Sequence, residues 1–196
     1  MKNCKDFYND SAQMWAENWY SNESMIPFLK TFLGYVNKKS PRILDLCCGA
    51  GYESMRLKNL GADVVGLDFS DKELEIAKQK NPNIQFVLGD MLESYKYLGM
   101  FDGVACIAGI IHIEKSQLNL TFRNIAEVLK KGGYLLLVYR EGDEAKQYST
   151  YNGIEYERNF IYHKSKDILN AMDSNFEFVK TLESNDKWKY VIYKRR

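Results

Sequence analysis

Three aspartates stand at the ends of three short apolar stretches. Asp45 lies near the end of the first stretch, Asp68 follows the second and Asp90 follows the third, at intervals of 23 and 22 residues. A single acid after a strand is often a helix cap or a turn residue. Three acids in this rhythm favour a shared site, because the carboxyl ends of parallel strands meet at one edge of a sheet.

A turn of small residues follows the first strand. Gly49 and Gly51 separate this strand from a helical pattern over 52–60. Their missing side chains let a ligand approach the backbone, and the free N–H groups of the first helical turn face that ligand. Ser54 stands three positions after Gly51, so the spacing is not the G-x-G-x-x-G of dinucleotide sites.

The three acids together predict an adenosine ligand with a cationic tail. Asp68 is placed to accept hydrogen bonds from both ribose hydroxyls. Asp90 can accept a hydrogen bond from the exocyclic amine of an adenine, with Met91 or Phe69 packing on the ring. Asp45 lies under an ammonium group of the ligand or orders the glycine turn.

Strands and helices alternate around these residues. The predicted strands cover 43–46, 63–67, 84–88, 101–107 and 134–139. The predicted helices cover 7–21, 24–36, 52–60, 70–80 and 116–130, with Ser24 and Ser70 as N-terminal caps. This order predicts an α/β fold with a doubly wound parallel sheet. The strands are apolar throughout, as expected when helices cover both faces.

The remainder of the chain is less regular. We predict a long polar loop over 140–153, a short strand within 154–162 and a helix over 165–172. Two further strands, over 176–182 and 187–193, are predicted to be joined by a turn at 183–186. The chain therefore reads as one domain over 1–196, and it has no sizeable inserted cap.

Composition excludes several classes of partner. The 196 residues carry 27 basic and 26 acidic side chains, a balance that predicts neither nucleic acid nor an anionic membrane as a partner. The four cysteines form no C-x-x-C pair, so we predict no metal site, no disulfide scaffold and a cytoplasmic protein. The longest apolar run, Val104 to Ile111, is too short to span a membrane.

Several ordered motifs resemble the class I S-adenosylmethionine-dependent methyltransferases. The motifs that carry the resemblance are Asp45-Leu46-Cys47-Cys48-Gly49-Ala50-Gly51, Gly66-Leu67-Asp68-Phe69-Ser70, Leu88-Gly89-Asp90-Met91, Phe101-Asp102-Gly103-Val104 and Leu129-Lys130-Lys131-Gly132-Gly133-Tyr134. The resemblance implies a Rossmann-like, doubly wound sheet of seven mostly parallel strands, with the last strand antiparallel. It also implies S-adenosylmethionine as the cofactor and methyl transfer by in-line displacement.

The resemblance divides the chain into three parts. Residues 42–139 are expected to form the cofactor-binding core, 1–37 a helical lid, and 140–196 a substrate-side loop with the closing strands. The family usually has glycine at the position of Cys47, where a small side chain is expected to preserve binding. Cys47, Ile107 and Trp15 join the acids, the glycines, Phe69 and Met91 as expected cofactor contacts.

The class of methyl acceptor, and the residues expected around it, can be inferred only from residue types and motifs. The chain has no Asn-Pro-Pro-Tyr or Asp-Pro-Pro-Tyr motif after the fourth strand and no Pro-Cys pair, which disfavours nucleic acid and favours a small-molecule acceptor. His112, after the fourth strand, is the candidate general base; the alternative is a hydrogen-bonded loop histidine. The expected substrate-side residues are Tyr8, Trp19, His112, Arg140 and Tyr151.

Four questions remain open from the sequence. The aromatic N-terminal segment with Tyr8, Trp15 and Trp19 is either a lid or a helix packed on the sheet. The protein is either an enzyme or a cofactor-binding regulatory module without turnover. A nicotinamide-dependent oxidoreductase is disfavoured by the glycine spacing and by Asp45 and Asp90. A monomer and a homodimer are both compatible with the sequence.

Overall fold

The computed structural model describes residues 2–143, 145–182 and 188–196. The turn predicted at 183–186, and the start of the last strand at 187, lie outside these residues. The helices are α1 (Cys4–Trp19), α2 (Ile26–Val36), α3 (Tyr52–Asn59), α4 (Asp71–Lys80), α5 (Leu118–Val128) and α6 (Ser165–Met172). The strands are β1 (Arg42–Leu46), β2 (Asp63–Asp68), β3 (Gln85–Leu88), β4 (Phe101–Ile107), β5 (Leu129–Arg140), β6 (Ala145–Tyr151), β7 (Ile154–Ile161), β8 (Phe176–Leu182) and β9 (Trp188–Arg195).

Seven strands form one sheet in the order β3-β2-β1-β4-β5-β9-β8. The first five strands pair in parallel, and β9 pairs antiparallel to both β5 and β8. The predicted seven-stranded sheet with an antiparallel last strand is confirmed. The strand order reverses between β1 and β4, which is where doubly wound sheets bind their ligands.

Helices cover both faces of this sheet, as predicted. On one face, α2, α3 and α4 contribute Phe32, Leu57 and Leu74 to a core that includes Ile43 of β1. On the other face, α5 and α6 pack on the remaining side chains of the same strands, with Phe122 fully buried. Adjacent strand residues point to opposite faces, so both must be apolar.

Two helix boundaries differ from the prediction. The helix expected over 116–130 ends at Val128, because Leu129 already pairs with Phe101 of β4. Strand β5 therefore includes the segment 130–133, and Gly132 provides a left-handed φ of +75° within it. At α2 the expected cap at Ser24 is wrong: Met25 occupies the N-cap position without a side-chain hydrogen bond, and Pro27 lies in the first turn.

The polar segment predicted as a loop over 140–153 is mostly a strand. Residues of β6 pair antiparallel with β7 and form a hairpin separate from the main sheet. Asn152 and Gly153 form its two-residue turn with φ of +48° and +77°. This dipeptide is the strongest short-range signal for such a hairpin, and it was present in the sequence. The hairpin packs against α1 through β7.

Within the part of the chain that the structure describes, no helix combines the length and the apolar character needed to cross a membrane.

Candidate active site

A cavity of about 450 Å³ lies at the carboxyl ends of β1 to β4. Helix α1 and strand β7 close it from the other side. Its wall combines acids from the strand ends, aromatic side chains from the covering elements and small residues from the turns. The described lining residues are Cys4, Tyr8, Trp15, Trp19, Cys47, Gly49, Tyr52, Asp68, Phe69, Glu73, Gly89, Asp90, Met91, Leu92, Ile107, Ala108, Gly109, Ile111, His112, Ile113, Arg158, Phe160 and Trp188.

The turn after β1 is tied to the end of β2. The backbone N–H of Gly49 donates to Oδ2 of Asp68 at 2.8 Å, and the N–H of Ser70 donates to Oδ1 at 2.9 Å. Each carboxylate oxygen keeps a further lone pair for a ligand. Burial raises the pKa of Asp68, and the backbone N–H donors oppose that rise. Asp68 and Gly49 therefore meet at the cavity as the sequence predicted.

Cys47 adopts the left-handed conformation that its glycine-like position requires. Its φ is +64°, a region that favours glycine over other residues. Its Sγ lies 3.5 Å from Sδ of Met91, so the side chain fills space at the cavity wall. A hydrogen bond to Cys106 and burial raise the pKa of the Cys47 thiol well above its usual value. A thiol of this kind is a packing group rather than a nucleophile.

Two predicted ligand contacts lie behind the cavity instead of in its wall. Asp45 is 1% exposed and accepts a hydrogen bond from Oγ of Ser54 at 2.5 Å. Burial raises its pKa to about 7. Of its two predicted roles, ordering the glycine turn fits this position and contact with a ligand does not. Gly51 is the N-cap of α3, where a Cβ would lie 2.8 Å from Phe86.

An acid that the sequence did not single out faces the cavity. Glu73 of α4 is 2% exposed, and its Oε2 has no hydrogen-bond partner among the described residues. This oxygen lies 3.6 Å from the position a Cβ on Gly49 would occupy. Burial and the neighbouring charge of Asp68 raise the pKa of Glu73 to about 8. The sequence suggested only a capping role, and the Ser70 side chain does accept from the N–H of Glu73.

The residues that the sequence assigned to an adenine line the cavity. Asp90 lines the cavity after β3 and accepts from the N–H of Leu92 at 2.8 Å. Met91, Phe69 and Ile107 line the cavity as well. A flat apolar ligand group can pack among these three side chains, while the exposed Asp90 carboxylate offers a second acceptor oxygen.

Helix α1 covers the cavity, and α2 does not. Tyr8, Trp15 and Trp19 line the cavity from one face of α1, as expected from their spacing of seven and four. The helix is held there by Asn9, whose Oδ1 accepts from Oγ of Ser70 at 2.7 Å. Helix α2 packs on the sheet with Phe32 fully buried, so only the first half of the predicted 1–37 lid lies over the site.

Tyr8 links two elements that are far apart in the chain. Its hydroxyl lies 2.7 Å from Nε2 of His112, and a guanidinium N–H of Arg158 donates to the same hydroxyl at 2.7 Å. Nδ1 of His112 lies 2.6 Å from the carbonyl oxygen of Asn159 and donates to it. Tyr8 must then donate to Nε2. Burial and the charge of Arg158 lower the pKa of His112 to about 4.

Two predicted substrate-side residues lie outside the cavity wall. The guanidinium of Arg140 stacks on the rings of Tyr162 and Trp188, with centroid distances of 4.7 and 5.3 Å. Tyr151 makes an edge contact with Phe7, at a centroid distance of 6.2 Å, on the hairpin side of α1. Both were predicted from their place after the fifth predicted strand, but Arg140 is the last residue of β5 and Tyr151 the last of β6, and neither lines the cavity.

The hairpin supplies Arg158 and Phe160 instead. Both lie on β7 at alternate positions, so their side chains share one face of the strand. Trp188, at the start of β9, and Tyr52, at the start of α3, also line the cavity without having been predicted. The Asn152-Gly153 turn could have indicated the hairpin, but its orientation relative to the sheet has no local signal.

Taken together, the cavity offers acids for hydroxyl or cationic groups at one end and an apolar, aromatic chamber at the other. Asp68 and Asp90 provide carboxylates, Glu73 provides a carboxyl group whose pKa is raised to about 8, and Arg158 is the only permanently charged cation among the described lining residues. Those residues contain no cluster of three potential metal-ligating side chains. The chemistry that this arrangement supports is binding and alignment of two ligands.

The comparisons with known proteins agree with this architecture. Residues 43–133, just under half of the chain, match the family model described as "Methyltransferase domain". YqeM of Bacillus subtilis (strain 168), provisionally named a methyltransferase, is 38% identical over 100 residues, which are 48% of this chain and 40% of YqeM. The chain thus spans less than half the length of this relative.

Two solved structures share the fold over nearly their whole length. An S-adenosylmethionine-dependent methyltransferase from Clostridium acetobutylicum ATCC 824 superposes with a TM-score of 0.75 at 15% identity, covering 96% of this chain and 99% of that one. The magnesium protoporphyrin IX methyltransferase of Synechocystis PCC 6803, with bound S-adenosylmethionine, gives 0.74 at 18% identity, covering 98% and 95%. The chain therefore matches a methyltransferase domain over residues 43–133 and shares the class I methyltransferase fold, and the resemblance to the S-adenosylmethionine-dependent methyltransferases predicted from the sequence is confirmed.

Proposed function

We propose that this protein binds S-adenosylmethionine and transfers its methyl group to a small-molecule acceptor. The observation that carries the proposal is the Gly49–Asp68 hydrogen bond, which joins the glycine turn to the end of β2. Both residues line the same cavity as Asp90, which follows β3. The methyltransferase family match supports the activity. A cavity of about 450 Å³ is within the range that small ligands occupy.

The residues present fit the proposed cofactor. The Asp68 carboxylate has free lone pairs for the ribose hydroxyls, and Asp90 has one for the adenine amine. The unpaired Oε2 of Glu73 lies beside the same glycine turn and is available for a hydroxyl or ammonium group. Glu73 thereby takes the cation-facing role that the sequence suggested for Asp45.

The bound cofactor supplies an activated methyl group, so the chain's task is alignment and exclusion of water. Trp15 and Trp19 from α1 and Phe160 from β7 cover the cavity and shield it from solvent. Alignment of the acceptor falls to the residues after β4 and on the hairpin. The cofactor and the acceptor would then occupy one closed space.

We further propose that His112 positions Tyr8 rather than acting as a free general base. Both of its ring nitrogens are engaged, and its pKa of about 4 makes protonation at neutral pH unfavourable. An acceptor atom that carries no proton at neutral pH requires no base. An acceptor that does carry one would reach His112 only through the hydroxyl of Tyr8.

Calorimetry with S-adenosylhomocysteine, the demethylated product, tests the cofactor assignment. We expect saturable one-site binding, and we expect NAD to give no heat under the same conditions. Binding of NAD without binding of S-adenosylhomocysteine would overturn the proposal. Transfer of a labelled methyl group to any member of a small-molecule library would then separate an enzyme from a binding module, because a module would release no labelled product.

A further inference from the structure

Arg158 is a buried cation in the cavity wall, and none of the described acidic side chains pairs with it. The residue is 9% exposed, and its Nε makes no hydrogen bond with any described residue. Its other donors reach neutral oxygens, with Nη2 donating to Tyr8 at 2.7 Å and Nη1 to Oγ of Ser149 at 3.4 Å. Three aromatic rings surround the guanidinium carbon, with centroid distances of 4.3 Å to Phe7, 5.0 Å to Tyr8 and 5.5 Å to Phe160.

A second buried arginine, Arg56, has the acidic partner that Arg158 lacks among the described residues. Arg56 is 4% exposed, and its Nη1 donates to the carboxylate of Glu53 at 3.0 Å. A buried charge without a partner is costly, and arginines are rarely buried unless paired. Aromatic rings stabilise a guanidinium but do not replace an anion. The described protein therefore provides a positive site in the cavity and leaves its negative partner to a ligand.

We propose that Arg158 binds a carboxylate group of the methyl acceptor, which makes the acceptor a small carboxylic acid with an apolar or aromatic body. This inference rests on the proposed methyl transfer. The planar guanidinium with unused N–H donors suits a carboxylate better than a point charge does. The neighbouring side chains Phe160, Ile111 and Ile113 suit an apolar body.

The location of Arg158 favours the acceptor over the cofactor. Arg158 lies on the hairpin and contacts Tyr8, which bonds to His112 after β4. The glycine turn and Asp68, which are assigned to the cofactor, belong to the ends of β1 and β2. The amino-acid end of the cofactor also carries a carboxylate. The test must therefore distinguish a carboxylate of the acceptor from that of the cofactor.

The first arm measures the affinity of S-adenosylhomocysteine and of methylthioadenosine, which lacks the amino-acid end. Both ligands are titrated into the wild type and Arg158→Met. We expect Arg158→Met to change the affinity of either ligand by less than about threefold. A selective loss of S-adenosylhomocysteine binding would assign Arg158 to the cofactor and overturn the proposal.

The second arm measures binding of aromatic and aliphatic monocarboxylates, each paired with its primary amide, to the full-length protein with and without S-adenosylhomocysteine. We expect at least one acid to bind the wild type about tenfold or more tightly than its amide. Arg158→Met should abolish this preference, and Arg158→Lys, which keeps the charge, should retain part of it. No acid preference in the wild type, or one that persists in Arg158→Met, would overturn the proposal.

Arg140→Met is the matched control. Arg140 also stacks on Phe160 and also has an unpaired Nε, but it does not line the cavity. We expect this variant to keep the acid preference. Binding of S-adenosylhomocysteine by each variant also reports that it has folded. If the wild type binds S-adenosylhomocysteine but prefers no acid, the carboxylate inference fails while the proposed function stands.

Discussion

The hydroxyl of Tyr8 donates to Nε2 of His112 over 2.7 Å, joining two residues that are 104 positions apart. The bond connects the covering helix α1 to the turn after β4. A second hydrogen bond, from Arg158 of the hairpin to the same hydroxyl, connects α1 to β7. This end of the cavity is therefore assembled from three separate parts of the chain. A change at any of these residues should affect how the cavity is closed.

Tyr8→Phe removes a hydroxyl that serves both His112 and Arg158. We expect the free energy of unfolding to fall by about 1–2 kcal/mol, because two partners lose a hydrogen bond in a partly buried place. Urea denaturation measures the change. Tyr148→Phe is the control, since Tyr148 is 47% exposed and should change stability by less than about 0.5 kcal/mol. Equal stability of wild type and Tyr8→Phe would mean that the bond contributes nothing to closure.

Asp68→Asn should weaken S-adenosylhomocysteine binding by about tenfold or more, because charge-assisted hydrogen bonds from the ribose hydroxyls are lost. Asparagine preserves the size of the side chain and part of its hydrogen bonding to Gly49 and Ser70. Asp63→Asn, at the exposed opposite end of β2, is the matched control and should bind like the wild type. Calorimetry giving equal affinities for all three proteins would remove Asp68 from the binding site.

Glu73→Gln should change how stability depends on pH. The folded protein holds the Glu73 proton up to a pKa of about 8, whereas an unfolded glutamate loses it near 4.5. The stability contributed by this raised pKa is complete below about pH 4.5 and is lost as the pH rises through about 8. The glutamine variant lacks this loss.

The difference in unfolding free energy between Glu73→Gln and wild type should therefore shift in favour of the variant between pH 5 and pH 8.5. The expected shift is about 4 kcal/mol, because about three pH units of this range lie between the two pKa values, at about 1.4 kcal/mol per unit. Urea denaturation at both pH values, without any ligand, provides the measurement. Parallel pH profiles for the two proteins would show that Glu73 titrates normally and is not desolvated in the cavity wall.

Cys47→Gly tests the left-handed position in the turn. Glycine removes the cost of a φ of +64°, about 1 kcal/mol, but it also removes the packing of Sγ against Met91. We expect these terms to offset each other, leaving stability within about 1 kcal/mol and S-adenosylhomocysteine affinity within about threefold of wild type.

Cys47→Val, unlike Cys47→Gly, should destabilise the protein. A β-branched side chain disfavours the left-handed region, and Sγ of Cys47 already lies 2.8 Å from where a Cβ on Gly109 would stand. We expect a loss of about 2 kcal/mol or more in unfolding free energy. A valine variant as stable as the glycine variant would show that the turn changes conformation easily.

The sheet and the cofactor side of the site were largely predictable because their signals are local. Asp68 is the last residue of β2 and Asp90 lies two residues after β3, and parallel pairing brings the ends of these mostly apolar strands to one edge. Gly49 belongs to the turn after β1. Its φ of +52° lies in the left-handed region, which glycine adopts without steric cost. The spacing of Tyr8, Trp15 and Trp19 likewise indicated one helical face.

The acceptor side was decided by tertiary structure. The sequence could not distinguish Arg158 from Arg140: Arg140 ends β5, Arg158 lies on β7, and only the packing of the hairpin brings Arg158 into the cavity wall. It also could not separate Asp45 from Glu73: the strand end buries Asp45 against Ser54, and the packing of α4 turns Glu73 toward Gly49. Strand ends and turns are set by neighbouring residues, whereas the burial and pairing of a charge depend on contacts between segments distant in the chain.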